Sequence, residues 1–399
     1  MQPINVSVVR ILHTSDWHLG RALHGVDLHE HQEAFLDHLV DLVKTRDIDA
    51  VLVSGDVYDR AFPAVDTVKL LSRTLTRLSR HTTVIVTPGN HDSAARLGFG
   101  SELMRDSVRI LADVADVDKP VILASDGFDV AVYGLPYLDP DLARASFGTS
   151  EGDLPPRSHE GVLTAAMQRI RNDLAGRSAG ARPTRSIVMA HAFVVGGLAS
   201  ESERDITIGG VDSAPSAVFE GVDYVALGHL HGPQKITVAH STTVARYSGS
   251  PLAYSFSERD HNKSTVLLEF SFDGPPRVEL IPAPVPRRLK HLEGTMDALL
   301  GSDNADWADD WVRIFVTDSL YPTDMQGRLR AVFPHALVIA HVPGASSSTV
   351  SAPVVTEAMN PAEVASQFVE YVTTARPTDE ESALLQTAYE AVNARKRST

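Results

Sequence analysis

Residues 11–20 read Ile-Leu-His-Thr-Ser-Asp-Trp-His-Leu-Gly, an apolar run that gives way to a polar turn carrying Asp16 and His18. The aliphatic segment Val8–Leu12 predicts a strand, and an Asp-x-His pair two positions apart on extended backbone would send both side chains the same way. The arrangement recurs outward along the chain. Ala50–Val53 precedes Gly55-Asp56, and Thr83–Thr87 precedes Gly89-Asn90-His91-Asp92. Ser186–Ala190 precedes His191, and Val222–Leu227 precedes Gly228-His229-Leu230-His231. Ligands of open α/β sheets sit beyond the carboxyl ends of strands, so five polar signals, each behind its own strand, point to one shared site. Singly, Gly-Asp is an ordinary turn and a lone histidine an ordinary packed side chain; five in succession are improbable as coincidence.

Helical spacing between the first two strands, at Leu28, Phe35, Leu36, Leu39, Leu42 and Val43, predicts a helix, and Val65–Leu78 predicts another. Strands alternating with helices define a layered α/β domain over residues 1–285. Past Gly228 the short runs Thr242–Tyr247, Ser264–Phe270 and Arg277–Ile281 suggest an antiparallel continuation. Ile281–Pro286 holds three prolines in six residues, so no regular element should cross it. A small α/β domain follows over 286–345, with strands at Trp311–Thr317 and Ala336–Val342 around a helix at Asp324–Val332. Residues 346–399 read as a linker and two capped helices. Asn360-Pro361-x-Glu363 caps the first, with a stripe of Val364, Phe368, Tyr371 and Val372, and Thr378 with Glu381 caps the second.

The bulk composition bounds the chemistry. With 43% hydrophobic and 22% charged residues in 399, the chain is globular and long enough for two or three domains. It contains no cysteine, which excludes disulfides and zinc–thiolate sites. No secretory signal opens the sequence, and the longest apolar stretch, Ile187–Ala199, is too short to span a bilayer, so a soluble cytoplasmic protein with no membrane partner is expected. The net charge of −15 would repel DNA at long range, so a nucleic-acid substrate requires metals, basic patches or a partner to offset it. Candidate patches are Arg169, Arg171, Arg177, Arg182 and Arg185, then Arg287, Arg288 and Lys290, although a solvated face is the commoner meaning of such clusters.

The ordered set Asp-x-His, Gly-Asp, Gly-Asn-His-Asp, a lone His and Gly-His-x-His resembles the calcineurin-like metallophosphoesterase superfamily. The fuller strings Ile11–Gly20, Gly55-Asp-Val-Tyr-Asp59, Gly89–Ser93, Gly228–His231 and Tyr247-Ser-Gly-Ser-Pro251 resemble more closely the bacterial SbcD-like nucleases. The resemblance implies a sandwich of two sheets flanked by helices, with a small α/β capping domain and C-terminal helices. It implies two divalent metal ions, Mn(II), one held by Asp16, His18, Asp56 and His231 and the other by Asp56, Asn90, His191 and His229, with Asp56 bridging. His91 would face the leaving oxygen, and Asp59 resembles the carboxylate that orients this histidine in the superfamily's phosphatases. It further implies DNA as substrate, in-line hydrolysis of phosphodiesters, an SbcC-type ATPase partner and a homodimer of nuclease subunits within a heterotetramer. The chain has no phosphate loop of its own, so any ATP dependence must come from another chain. Two other readings stay open. Gly55-Asp-x-x-Asp59-Arg60 also matches phosphoprotein phosphatases, which favours a phosphomonoesterase or small-molecule phosphodiesterase, and a non-catalytic DNA-end scaffold would keep the fold without the chemistry.

Overall fold

A computed structural model describes residues 8–148, 151–180, 182–203, 213–343, 364–369 and 377–396, which fall into two compact units, Met1–Lys290 and His291–Thr399. The first unit is built on strands β1 (Val9–Thr14), the short hairpin β2 (Ala22–Leu23) and β3 (Val26–Asp27), β4 (Ala50–Ser54), β5 (Thr83–Thr87), β6 (Val108–Ile110), β7 (Val121–Ala124) and β8 (Asp129–Gly134). These are followed by β9 (Thr184–His191), β10 (Tyr224–Gly228), β11 (Gln234–Thr237), β12 (Val244–Tyr247), β13 (Ser264–Phe270) and β14 (Arg277–Pro282). They form two six-stranded sheets in the orders β14-β13-β1-β4-β5-β6 and β11-β12-β10-β9-β8-β7. Each has four parallel strands in its order, β1-β4-β5-β6 and β8-β9-β10-β12, with antiparallel strands outside them.

The parallel strands other than β6 and β12 are buried on both faces, which is why they read as largely apolar runs. Alternate residues divide between layers. Ile11, Leu52 and Ile85 from one sheet meet Val132, Ile187 and Met189 from the other in the central core. Their neighbours Leu12, Val51, Val53 and Val86 pack outward under Phe35, Leu39 and Leu71 of helices α1 (His29–Thr45) and α2 (Val65–Leu78). On the far side Tyr133, Val188 and Leu227 pack under Val162, Met167 and Ile170 of the helix His159–Ser178. This two-sheet sandwich brings the carboxyl ends of β1, β4, β5, β9 and β10 together.

Three local readings change. β12 pairs parallel to β10, not antiparallel, because the chain between them first forms β11 and returns. β13 and β14 leave that sheet to extend the first one beside β1, the long-range pairing that short-range periodicity does not encode. β14 also runs one residue beyond Ile281 to Pro282, so the proline run ends the strand without excluding it, as an edge position tolerates proline.

His13, on β1, lies between the sheets with no solvent exposure, its Nδ1 3.0 Å from the Tyr224 hydroxyl. Burial lowers its pKa from 6.5 to about 3. The unfolded chain therefore binds this proton first, and the associated stability is present above about pH 6.5 and is lost as pH falls toward 3. Chemical denaturation in chelator should show about 2 kcal/mol of stability lost between pH 7 and pH 5 through His13, absent from a His13→Gln variant. Equal pH slopes for the two proteins would refute this.

In the second unit the strands Leu289–Gly294, Trp311–Val316 and Ala336–His341 make a three-stranded sheet in that order, the last two parallel. Helices Met296–Leu299 and Met325–Val332 cover one face, with Leu292, Ile314, Leu329 and Phe333 in the core. Residues 364–369 are helical, and Asp379–Lys396 is a helix whose predicted capping box forms: Thr378 N–H donates to Glu381 Oε2 at 2.8 Å and Glu381 N–H to Thr378 Oγ1 at 3.2 Å. The predicted cap at 360–363, the linker at 344–348 and the stripe positions 371 and 372 lie outside the described residues.

Candidate metal centre

The loops after β1 and β4 run side by side, joined by Asp16 N–H to Gly55 O at 3.1 Å and His18 N–H to Asp56 O at 2.9 Å. Asp16, His18 and Asp56 have φ of 54°, 43° and 48°. The convergence of Asp16 and His18 thus comes from left-handed turns and not from the extended backbone that the i, i+2 spacing suggested. Non-glycine residues in this region are strained, and such strain persists where surrounding structure holds it, commonly at functional sites.

Close approach of the loops depends on glycine. A Cβ at Gly55 would lie 2.2 Å from His191 Nδ1, one at Gly89 2.1 Å from Asp56 Oδ1, and one at Gly228 1.8 Å from the Ser54 carbonyl oxygen. The result is a buried cluster. Asp56 Oδ2 is 3.5 Å from His18 Nε2 and 3.4 Å from His191 Nε2, while its Oδ1 accepts from His91 N–H at 2.9 Å. His18 Nε2 and His231 Nε2 are 3.1 Å apart, and His191 Nε2 is 2.9 Å from Asn90 Oδ1. Asp16 accepts from His229 N–H at 3.0 Å, and the rings of His191 and His229 are 5.4 Å apart. Two ligand groups result, Asp16 with His18 and His231, and Asp16 with Asp56 and His191. His18, Asp59 and His91 make a third.

Without a cation the cluster balances its charge internally, with a proton on His191 that a bound metal would displace. Burial pushes Asp16 up to about 6, and burial lowers His18 to about 3. Desolvation would lower His191 too, but the Asp56 and Asp16 carboxylates overcome it and raise it to about 9. Against its own desolvation, His191 and His18 hold Asp56 well below the usual carboxylate range. Packing this many imidazole nitrogens and carboxylate oxygens, nearly all buried, within ligand distance of one another matches the N/O donor set of borderline divalent metals.

All seven residues singled out as ligands come together here. Asp59 departs from its expected part: its backbone carbonyl, not its carboxylate, meets His91 Nδ1, at 2.9 Å. The carboxylate turns instead to His18 Nδ1 and to Arg21 and Arg60, each at 3.6 Å, because the loop after β4 directs the peptide oxygen at His91. The five arginines between 169 and 185 each make local contacts, in line with the commoner meaning of such clusters. Arg169 pairs with Asp118, Arg177 with Asp173, Arg182 with Asp129 and Arg185 with Asp223, and Arg171 donates to the Val218 and Glu220 carbonyls. Sequence reasoning missed Asp92, whose carboxylate accepts from the N–H groups of Val57, Tyr58 and Gly89 at 2.9–3.0 Å and so clamps the loop carrying Asp56 to the one carrying Asn90. It was legible as part of Gly-Asn-His-Asp. Glu258 and Lys263, behind His231, had no such signal.

The Calcineurin-like phosphoesterase family matches residues 9–233, and residues 285–373 match the Type 5 capsule protein repressor C-terminal domain. The chain therefore belongs to the calcineurin-like phosphoesterases, metal-dependent hydrolases of phosphate esters. Within that class it groups with the SbcD nuclease subunits: it is 30% identical over 337 residues to the SbcD subunit of the nuclease SbcCD from Staphylococcus saprophyticus, spanning 84% of this chain and 85% of the relative. Among solved structures, TT1561 of Thermus thermophilus aligns over 69% of this chain and all of its own, at 14% identity and a TM-score of 0.39. GAP50, the anchor in the inner membrane complex of Plasmodium, aligns over 69% of this chain and 85% of its own, at 10% identity and 0.40. Among the described residues no helix is long and apolar enough to cross a membrane.

Proposed function

We propose that this chain is a two-metal DNA nuclease, a double-strand exonuclease and single-strand endonuclease that works in the cytoplasm with an SbcC-type ATPase in DNA repair and recombination. The observation that carries the reading is Asp56 Oδ2, poised between His18 Nε2 and His191 Nε2, the position of a carboxylate that bridges two cations. Asp16, His18, Asp56 and His231 would hold one ion and Asp56, Asn90, His191 and His229 the other, with Mn(II) the metal. When bound, the two cations supply an activated water at neutral pH and neutralise charge developing on the scissile phosphate.

The chain's own groups do the rest. His91 is partly exposed, so substrate can reach it. Its Nδ1 faces the Asp59 carbonyl, which can only accept a hydrogen bond and so keeps a proton on Nδ1. Its Nε2 lies 4.0 Å from Asp56 Oδ2, facing the cluster, where it can meet the leaving oxygen as acid or charge stabiliser. With the arginines between 169 and 185 held in ion pairs and carbonyl contacts, approach of DNA to a chain of net charge −15 falls to the metals, to basic residues such as Arg287, Arg288 and Lys290, and to the partner. A homodimer within a heterotetramer and docking by the C-terminal helices complete the proposal.

The test incubates the purified chain with end-labelled linear duplex DNA and Mn(II), beside a His91→Ala variant, an EDTA control and a chromogenic phosphodiester. Degradation of DNA should vanish in EDTA and fall about 10²-fold or more in His91→Ala. Metal-dependent cleavage of the small ester alone, not rescued for DNA by adding the ATPase, would refute the nuclease reading and favour a small-molecule phosphodiesterase.

A further inference from the structure

Glu258 and Lys263 form an ion pair that solvent does not reach, their side chains 0% and 2% exposed. A buried ion pair is costly to desolvate and by itself weak evidence of stability, so what it is attached to matters. The three protons of the Lys263 ammonium meet three acceptors: Glu258 Oε2, Ser250 Oγ at 2.9 Å and the His231 backbone carbonyl at 3.0 Å. Glu258 Oε1 accepts from Ser202 Oγ and from Tyr254 N–H at 3.1 Å, and lies 3.3 Å from His231 Nδ1. Ser202 Oγ is 2.8 Å from that same Nδ1. An ionised carboxylate can only accept, and the single hydroxyl proton of Ser202 is directed at it, so the proton between Ser202 and His231 sits on Nδ1. Nε2 then carries the lone pair, turned toward His18 Nε2 and into the Asp16, His18 and His231 group.

We propose that Glu258 is a positioning residue for His231: through Ser202 it holds the imidazole in the Nδ1–H tautomer, with Nε2 presented to a cation. Lys263 anchors the arrangement by binding both the carboxylate and the His231 backbone. The inference rests on the metal-site reading above. Carboxylates that orient a ligating histidine from behind raise its basicity, and losing one typically costs about 10–100-fold in metal affinity.

The test is Mn(II) affinity of the full-length chain by titration calorimetry, together with histidine tautomer signals in nitrogen-15 NMR of the metal-free protein. Glu258→Gln should weaken Mn(II) binding about 10–100-fold and move His231 away from the pure Nδ1–H form. That variant leaves Lys263 buried without a counter-charge, so a second, Glu258→Gln/Lys263→Met, removes both charges at similar volume. It should recover thermal stability while Mn(II) affinity stays reduced. Recovery of wild-type affinity and tautomer in the double variant would overturn the proposal and leave the pair a packing device. A wild-type chain that binds no Mn(II) would overturn the metal reading itself, a result distinct from wild type and variants all binding equally well.

Discussion

Asp56→Asn is expected to lower phosphodiester hydrolysis at least about 10³-fold, the equivalent of the several kcal/mol that metal stabilisation of the transition state contributes. The reason is geometric. One carboxylate oxygen takes the His91 N–H at 2.9 Å while the other stands 3.4–3.5 Å from His191 and His18. An asparagine that keeps its carbonyl on the His91 N–H must turn an NH₂ toward the two imidazoles, and an amide nitrogen cannot bridge cations. The flipped amide loses the backbone contact instead. Calorimetric titration with Mn(II) should show loss of the second binding event, beside unchanged far-UV circular dichroism. Retention of two tight events and of hydrolysis within about tenfold would remove Asp56 from the bridging role.

Gly228→Ala is expected to unfold or grossly distort the centre, at a cost of about 3 kcal/mol or more, the upper range for overpacking. Its Cβ would stand 1.8 Å from the Ser54 carbonyl and 2.9 Å from His191 Nδ1, and neither neighbour can retreat: one is backbone of β4 and the other a buried ring. Here tertiary crowding and chemistry coincide, since relaxing the clash separates β4 from β10 and with them Asp56 from His229 and His231. Gly176→Ala supplies the control. That glycine is inside the helix His159–Ser178 with nothing within 4 Å of an added Cβ, so alanine there should raise stability by about 0.5–1 kcal/mol. Comparable melting temperatures for the two variants would show that the close approach at Gly228 is not required.

Much of this centre was legible in the chain because its signals are local. A strand buried on both faces must be an apolar run, a ligand loop must follow its carboxyl end, and glycine must stand where backbones meet. Val9–Thr14 with Asp16 and His18, Ala50–Ser54 with Gly55 and Asp56, and Tyr224–Gly228 with His229 and His231 each display all or part of that logic within about ten residues. The helix His159–Ser178 was equally local, its buried Val162, Leu163, Ala166, Met167, Ile170 and Leu174 at helical spacing, and was readable without being read.

What the sequence by itself determined, then, is which segments become strands, which polar residues close them and in what order, because backbone sterics and two-faced burial act over a few neighbours. Only the tertiary structure decided that β13 returns beside β1, that Arg185 pairs with Asp223, that Asp59 offers His91 its carbonyl, and that Glu258 stands behind His231. All four join residues 27 to more than 200 positions apart, and their partners are selected by which strands and loops become neighbours in the folded sheets, a condition no local pattern records.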